Sequence, residues 1–275
     1  MPIWKLTLEY DGTRYHGWQE QKNARTVAGM VRAAAEKLLG NRVELGGAGR
    51  TDSGVHALAQ VAHLRAGRRL SDSMLARGLN DLLPADINIL KAELAAAGFD
   101  ARRDAIGRYY LYQISTRRTA FAKEYVWWIK DRLDVDKMRS ALECIKGRHD
   151  FAAFCEHRPD EKSWIVEING VEMGIDGDLM LIRIGASHFL WKMVRRIVGM
   201  LVEVGRERVG VDEFKRLLLP VRGHSTMPSG PDSKGESLNV AAHTAPPSGL
   251  FLERVLYREE DRPPKALVAA FPLGS

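Results

Sequence analysis

Between Lys5 and Leu94 the apolar residues change period from two to 3.6 and back again, twice over, which restricts this stretch to alternating strands and helices. Lys5-Leu6-Thr7-Leu8-Glu9-Tyr10 alternates and stops at Asp11-Gly12, a strand followed by a turn. From Thr26 to Leu39, residues Val27, Met30, Val31, Ala34, Ala35 and Leu38 recur at helical spacing, and Gly40-Asn41 closes the helix. Strand patterns follow at 43–45 and 60–64. A short helix over 71–79 has Ser71 as its N-cap and Leu75, Leu79 and Leu82 toward a core, and a further strand runs over 87–94. The order β-α-β-β-α-β is that of the split βαβ, or ferredoxin-like, unit.

The second half repeats the alternation without repeating the sequence. A strand over 108–115 is expected to return through a hairpin at 125–129, and a helix over 135–145 is capped by Asp134. Strands over 163–173 and 178–184 flank Gly174-Ile175-Asp176-Gly177, which reads as their hairpin turn. An amphipathic helix over 189–204, a shorter one over 211–218 and a strand over 250–257 complete the pattern. The expected fold class is α+β: two ferredoxin-like or RRM-like α/β lobes with largely antiparallel sheets. The N-terminal lobe is expected over 1–104 and the C-terminal lobe over 105–262, with a long loop at 220–249 rich in Gly, Ser, Pro, His and Asn. The tail 263–275 is compatible with docking or with trailing free.

Composition narrows the function classes less than pattern does. Of 275 residues, 45% are apolar and 28% charged, which is globular usage and excludes a disordered or fibrous chain. Lys and Arg number 41 against 35 Asp and Glu, a net charge of +6 that permits a polyanionic partner without demanding one. Cys144 and Cys155 form neither a CxxC pair nor a disulfide framework, as in a reducing compartment. The start of the chain lacks a signal-peptide pattern. The most apolar stretch, 189–204, is broken by Lys192, Arg195, Arg196 and Glu203, so no membrane span is expected and the reading is soluble and cytoplasmic.

The sharpest local feature is Gly46-Gly47-Ala48-Gly49-Arg50-Thr51-Asp52-Ser53-Gly54-Val55-His56. Glycines on both sides allow a tight turn and close approach to a ligand, and they present one carboxylate, Asp52, beside the Arg50 guanidinium. An ordinary hairpin loop in which the aspartate caps backbone amides fits as well. The block is not a nucleotide fingerprint, because the third glycine of GxGxxG and the Gly-Lys of a P-loop are missing. Leu8-Glu9-Tyr10-Asp11-Gly12-Thr13 resembles an Asp-x-Asp-Gly-Thr phosphatase loop, but Glu9 stands where the nucleophilic aspartate belongs. His149, Cys155 and His157 have no metal-ligand spacing, so neither a metal nor a cofactor is expected. On the strand from Arg108, period two places Arg108, Tyr110 and Tyr112 on one face, which is sheet core or a platform on which an unstacked base lies. Arg195 has no acidic neighbour at helical spacing, so its guanidinium either snorkels to solvent or, if buried, requires a distant carboxylate, with Asp52 the attractive one.

Several blocks together carry a resemblance. Tyr10-Asp11-Gly12-Thr13-Arg14-Tyr15-His16-Gly17-Trp18-Gln19-Glu20-Gln21 and Gly49-Arg50-Thr51-Asp52-Ser53-Gly54-Val55-His56-Ala57 closely resemble the TruA family of tRNA pseudouridine synthases. So do Phe99-Asp100-Ala101-Arg102 with Arg108-Tyr109-Tyr110-Leu111-Tyr112, and Gly147-Arg148-His149-Asp150-Phe151. Met193-Val194-Arg195-Arg196-Ile197-Val198-Gly199 and Ala245-Pro246-Pro247-Ser248-Gly249-Leu250 complete the set in the family's order. The resemblance implies Asp52 as the catalytic aspartate, Tyr110 as the ring against the target base, Arg195 as the basic partner of Asp52 and Arg50 as the arginine that helps displace the base. It also implies a pseudouridine synthase fold with a basic central cleft, a homodimer, tRNA as partner and uridines 38, 39 and 40 of the anticodon stem-loop as targets. The sequence departs from the family at Asp100, where His is usual, and over 221–244, which is longer than typical.

The chemistry so implied breaks the C1′–N1 bond, turns the uracil and rejoins it through C5, without redox change, metal or energy source. One carboxylate suffices, as nucleophile or as base. Two rivals stay in view: a non-catalytic RNA-binding module of the same fold, and a carboxylate hydrolase of glycosidic bonds, which needs a second acid near Asp52.

Overall fold

The computed structural model describes residues 1–156, 163–220 and 238–273. By density of contacts the chain forms two compact units. The first comprises 1–129, 172–185 and 246–275, and the second 130–171 and 186–245. These units are not consecutive stretches like the 1–104 and 105–262 read from chain order, because strands late in the sequence complete the sheet that begins at the amino terminus.

In the first unit β1 (Ile3–Tyr10) lies between β3 (His56–Arg65) and β4 (Ile87–Leu94), antiparallel to both. Trp4, Leu6, Leu8 and Tyr10, alternate residues of β1, are buried, as a one-sided apolar strand requires. The outer edge of β3 is shared. Its far end pairs antiparallel with β2 (Glu44–Gly47), while His56 and Ala57 pair in parallel with β10 (Leu250–Leu256). The glycine-flanked segment therefore leaves the sheet where one neighbour of β3 gives way to the other. Beyond β10 lie β5 (Gly107–Ser115), antiparallel to it, and then β9 (Leu179–Ala186). Helices α1 (Val27–Leu39) and α2 (Asp72–Asn80) pack on each other and on β2 and β4. Thr26 and Ser71 accept from the backbone amides of Gly29 and Met74 as N-caps, and Gly40 closes α1 in the left-handed region at φ +73°. The observed order is the β-α-β-β-α-β read from periodicity, and the class is α+β with a largely antiparallel sheet.

Two local expectations are corrected. The chain over 125–129 does not return as a hairpin: β6 (Trp127–Trp128) runs parallel to β5, Ile114 pairing with Trp127. Ala122, at φ +54°, and a 3₁₀ turn over Lys123–Tyr125 redirect the chain first. Tyr125 is held out of any strand by its hydroxyl bond to Asp11 and its ring stack on Phe271. The turn between β8 (Ile165–Asp176) and β9 is the two-residue Gly177-Asp178, with Gly177 at φ +57°, so residues 174–176 extend the strand.

The tail docks. Leu267, Ala269, Ala270 and Leu273 pack on a cluster of Leu111, Val126, Leu179, Leu181 and Phe251. The Gln113 side chain accepts from the amides of Ala270 and Phe271, and the buried Arg183, bidentate to Glu253, donates to the Pro264 carbonyl.

The second unit is built around α4 (Met193–Gly205), with α3 (Val135–Glu143), α5 (Val211–Arg216), β7 (Gly147–Asp150) and residues 165–171 of β8. Asp134 caps α3, accepting from Lys137. Every residue of α4 except Arg195 is buried, so this amphipathic helix is covered on its polar side too, where Arg196 and Glu203 lie; it starts at Met193, with Lys192 at φ +61°. The segment 243–245 crosses α4 at Gly199, where a Cβ would overlap the His243 carbonyl. Most of the expected loop at 220–249 lies outside the described residues. Gly199→Ala should lower stability by roughly 1–3 kcal/mol, through overpacking against a backbone that cannot give way. Urea denaturation measures this, and an unchanged midpoint would show that the crossing has slack.

Candidate functional site

Two of the sequence blocks form one structure. The segment from Tyr10 to Trp18 lies along residues 51–55 and holds them through their own backbone. Trp18 donates its amide to the Thr51 carbonyl at 3.1 Å, and the Tyr15 carbonyl accepts from the Gly54 amide at 3.3 Å and the Ser53 hydroxyl at 3.2 Å. The Tyr10 hydroxyl meets the Thr51 hydroxyl at 2.8 Å. The approach is close enough to demand glycine at two points. A Cβ on Gly12 would overlap the Val55 carbonyl, and one on Gly17, already at φ +84°, would overlap that of Thr51. The Val55 amide donates back to the Asp52 carbonyl at 3.2 Å, which closes the turn that carries the Asp52 side chain, itself half-buried. At the base of the segment Ala48 donates to Val61, and the Gln60 amide donates to the Gly49 carbonyl.

Tyr110 faces the same place from β5. Register carries it there: Tyr110 pairs with Leu252 of β10, and Leu252 pairs with Ala57 of β3. It is 8% exposed, and burial first, then the hydroxyl of Tyr10 and the charge of Asp52, push its phenol well above the ordinary tyrosine value. It is therefore a neutral ring with Asp52 near enough to feel. Arg108, on the same side of β5, is buried and donates to the backbone carbonyls of Ala48 and Arg102 at 2.8 and 2.9 Å. It fastens the root of the glycine segment.

Arg50 is exposed and lines a cleft of about 230 Å³ with Trp18, Gly46, Gly49, Asp100 and Arg102. Asp100, the position that departs from the resemblance, accepts from the amides of Arg102 and Arg103, both at 2.9 Å. Those hydrogen bonds hold its carboxyl below the usual carboxylate range. Arg195 belongs to the second unit. It is half-buried, its Nε donates to the Ala245 carbonyl at 2.7 Å, and its own carbonyl accepts from the Ala245 amide at 3.0 Å. The structure thus brings Asp52, Arg50 and Tyr110 into one unit. Pattern alone passed over Tyr10, Gly12, Tyr15 and Gly17, which do the holding. Their only signal was membership of a block that resembled the family, because their partners lie some forty residues away.

An α+β sheet that presents one clamped carboxylate beside a neutral buried tyrosine and an exposed arginine has the parts of a nucleoside-modifying enzyme. A family model described as tRNA pseudouridine synthase matches residues 7–102 and 141–258. The tRNA pseudouridine synthase A of Myxococcus xanthus is 40% identical over 267 residues, covering 96% of this chain and 94% of that protein. That of Rhodopseudomonas palustris (strain BisB18) is 39% identical over 260 residues, covering 94% of this chain and all of that protein. The chain belongs to the TruA family of tRNA pseudouridine synthases, isomerases that convert uridine in tRNA to pseudouridine. A solved H/ACA ribonucleoprotein with a substrate RNA containing 2′-deoxyuridine matches at TM-score 0.36 and 14% identity, over 72% of this chain and 44% of that one, too distant to bear on the argument.

Gly17→Ala tests the holding segment. It should weaken folding by about 1–3 kcal/mol and slow isomerisation more than its thermal midpoint alone accounts for. Activity and midpoint both at the wild-type level would show that the close approach to Thr51 is dispensable.

Proposed function

We propose that the chain isomerises uridines of the tRNA anticodon stem-loop, at positions 38, 39 and 40, with Asp52 as the catalytic carboxylate acting on a uridine turned out of its stack. The observation that carries the reading is the Asp52 turn, clamped by the 10–18 segment with the neutral Tyr110 ring beside it. A carboxylate fixed by its own backbone needs little reorganisation as charge develops at the sugar or base. Unstacking a nucleotide costs a few kcal/mol, and stacking on the Tyr110 ring offsets about 1–3 kcal/mol of that. Arg50, exposed on the same segment, takes the role the resemblance gives it, helping to displace the base. Arg195 enters through the resemblance, as the basic partner of Asp52. The protein works as a homodimer on tRNA, as the resemblance implies, in the cytoplasm, where the free thiols Cys144 and Cys155 suit a reducing compartment.

Asp52→Asn should bind tRNA with wild-type affinity and release no tritium from C5-labelled uridine in tRNA. Turnover by that variant refutes the assignment. Failure of the wild-type protein to release tritium while still binding tRNA would favour the non-catalytic RNA-binding module. Tyr110→Phe should retain most of the rate and Tyr110→Ala lose it, because the ring and not the hydroxyl does the stacking. Equal losses would transfer the role to the hydroxyl. Arg195→Leu should slow isomerisation at least tenfold; a wild-type rate removes it from the site. Cells lacking this chain should lose pseudouridine at positions 38–40 of their tRNAs, and its persistence there would move the target elsewhere.

A further inference from the structure

We propose that His56 is a positioning residue for the isomerisation, its ring fixing the Gly12 amide and, through it, the turn that carries Asp52. The proposal rests on the reading of Asp52 as the catalytic carboxylate and adds to it the means by which that carboxylate is held.

His56 opens β3 and is 1% exposed. Its ring stacks on Phe251, with centroids 4.8 Å apart and planes 25° from parallel, and is tilted against Tyr125 at 5.2 Å. Nδ1 accepts the Gly12 amide at 3.1 Å, and Nε2 lies 3.0 Å from the Glu124 carbonyl. An amide only donates, so the Gly12 bond uses the lone pair of a neutral Nδ1 and leaves the proton on Nε2 toward the Glu124 carbonyl; the Asp11 carboxylate, also 3.1 Å from Nδ1, and the Ser248 backbone pull toward the charged ring. Burial acts against that pull and holds the imidazole below its ordinary value. The Asp11 carboxylate is shared: the oxygen beside Nδ1 also accepts from the amide and hydroxyl of Thr13, and the other from the Tyr125 hydroxyl.

Gly12 passes the constraint on. Having no side chain, it lies directly against the Val55 peptide, and Val55 closes the Asp52 turn through its amide. Its carbonyl accepts from the Tyr15 amide at 3.0 Å, and Tyr15 in turn holds Ser53 and Gly54. Losing the acceptor at Nδ1 frees the amide at the head of this chain of contacts. The ring nitrogens meet the backbone of Gly12 and Glu124, so the role proposed for it is to position and not to react. Displacing reacting groups by about 1 Å is enough to slow a reaction roughly a hundredfold.

The two ring nitrogens can be replaced separately. His56→Asn keeps an acceptor where Nδ1 stands and loses the bond to Glu124. His56→Gln reaches toward Glu124 and leaves the Gly12 amide without its acceptor. Under single turnover with C5-tritiated tRNA, His56→Asn should stay within about threefold of wild type and His56→Gln should fall roughly ten- to a hundredfold, both with unchanged tRNA affinity. His56→Leu, which fills the space without a polar atom, should be as slow as His56→Gln and serves if that variant does not fold. Equal rates for the Asn and Gln variants, losses that follow the thermal midpoints, or a loss confined to tRNA affinity would each overturn the proposal. Asp52→Asn in the same assay separates the two claims. If it turns over, the reading of Asp52 fails; if it is inactive while the His56 variants do not differ, only the positioning role fails.

Discussion

A short stretch of backbone, from Gly12 to Trp18, held against another from Thr51 to Val55 is the constraint on which the site depends. Neither stretch is regular structure, and neither would keep its shape alone. Each supplies the other with the hydrogen-bond partners that a strand or helix would have given it: Trp18 to Thr51, Gly54 and Ser53 to Tyr15. The sheet below adds the anchoring. β1 delivers Tyr10 and Asp11 to one end of the contact, β3 leaves it at His56, and β10 and β5 bring Phe251 and Tyr110 alongside. The result is a carboxylate on an irregular loop with the placement of a residue on a rigid element. That placement is what the chemistry proposed for Asp52 asks of it.

The parts of this arrangement that were legible in the sequence are the local ones. The N-caps of two helices fell where Ser71 and Asp134 stand, because an N-cap is decided by a side chain and an amide a few residues apart. Glycines 46, 47, 49 and 54 were read as a loop that turns tightly and approaches a ligand, and Tyr110 was placed on one face of its strand by period two. What three of these glycines admit are other parts of the chain, His63, Trp18 and Pro247, and that could not be read. The partners of Thr51 and Gly54 lie some forty residues earlier in the chain, and nothing in Tyr10-Asp11-Gly12 distinguishes a clamp from the end of a strand. The same reason explains the errors. The segment around Tyr125 has a strand pattern, yet its course is settled by Asp11 and Phe271, one far upstream and one far downstream. The helix at Met193 is amphipathic as read, but that its polar side is also covered was not legible, because the cover includes residues 243–245.

The tail is the clearest case of a distant segment taking part. Its apolar residues cover a cluster on the sheet, and Gln113 holds its backbone as a strand partner would. Phe271 then stacks on Tyr125, Tyr125 bonds Asp11, and both Tyr125 and Asp11 adjoin His56. The end of the chain and the turn that bears Asp52 are thereby joined through a short run of side chains, all within the first unit.

If the backbone clamp fixes where the carboxylate stands, then moving it by one methylene while keeping its charge is the most direct test. The measurement is the single-turnover rate of Asp52→Glu on tRNA it binds as tightly as the wild type does. The account predicts a fall of roughly a hundredfold or more, since the loop cannot shift to restore the distance. A rate near that of the wild type would contradict it, for then any acid in the neighbourhood would serve and the clamp would have no part in the chemistry.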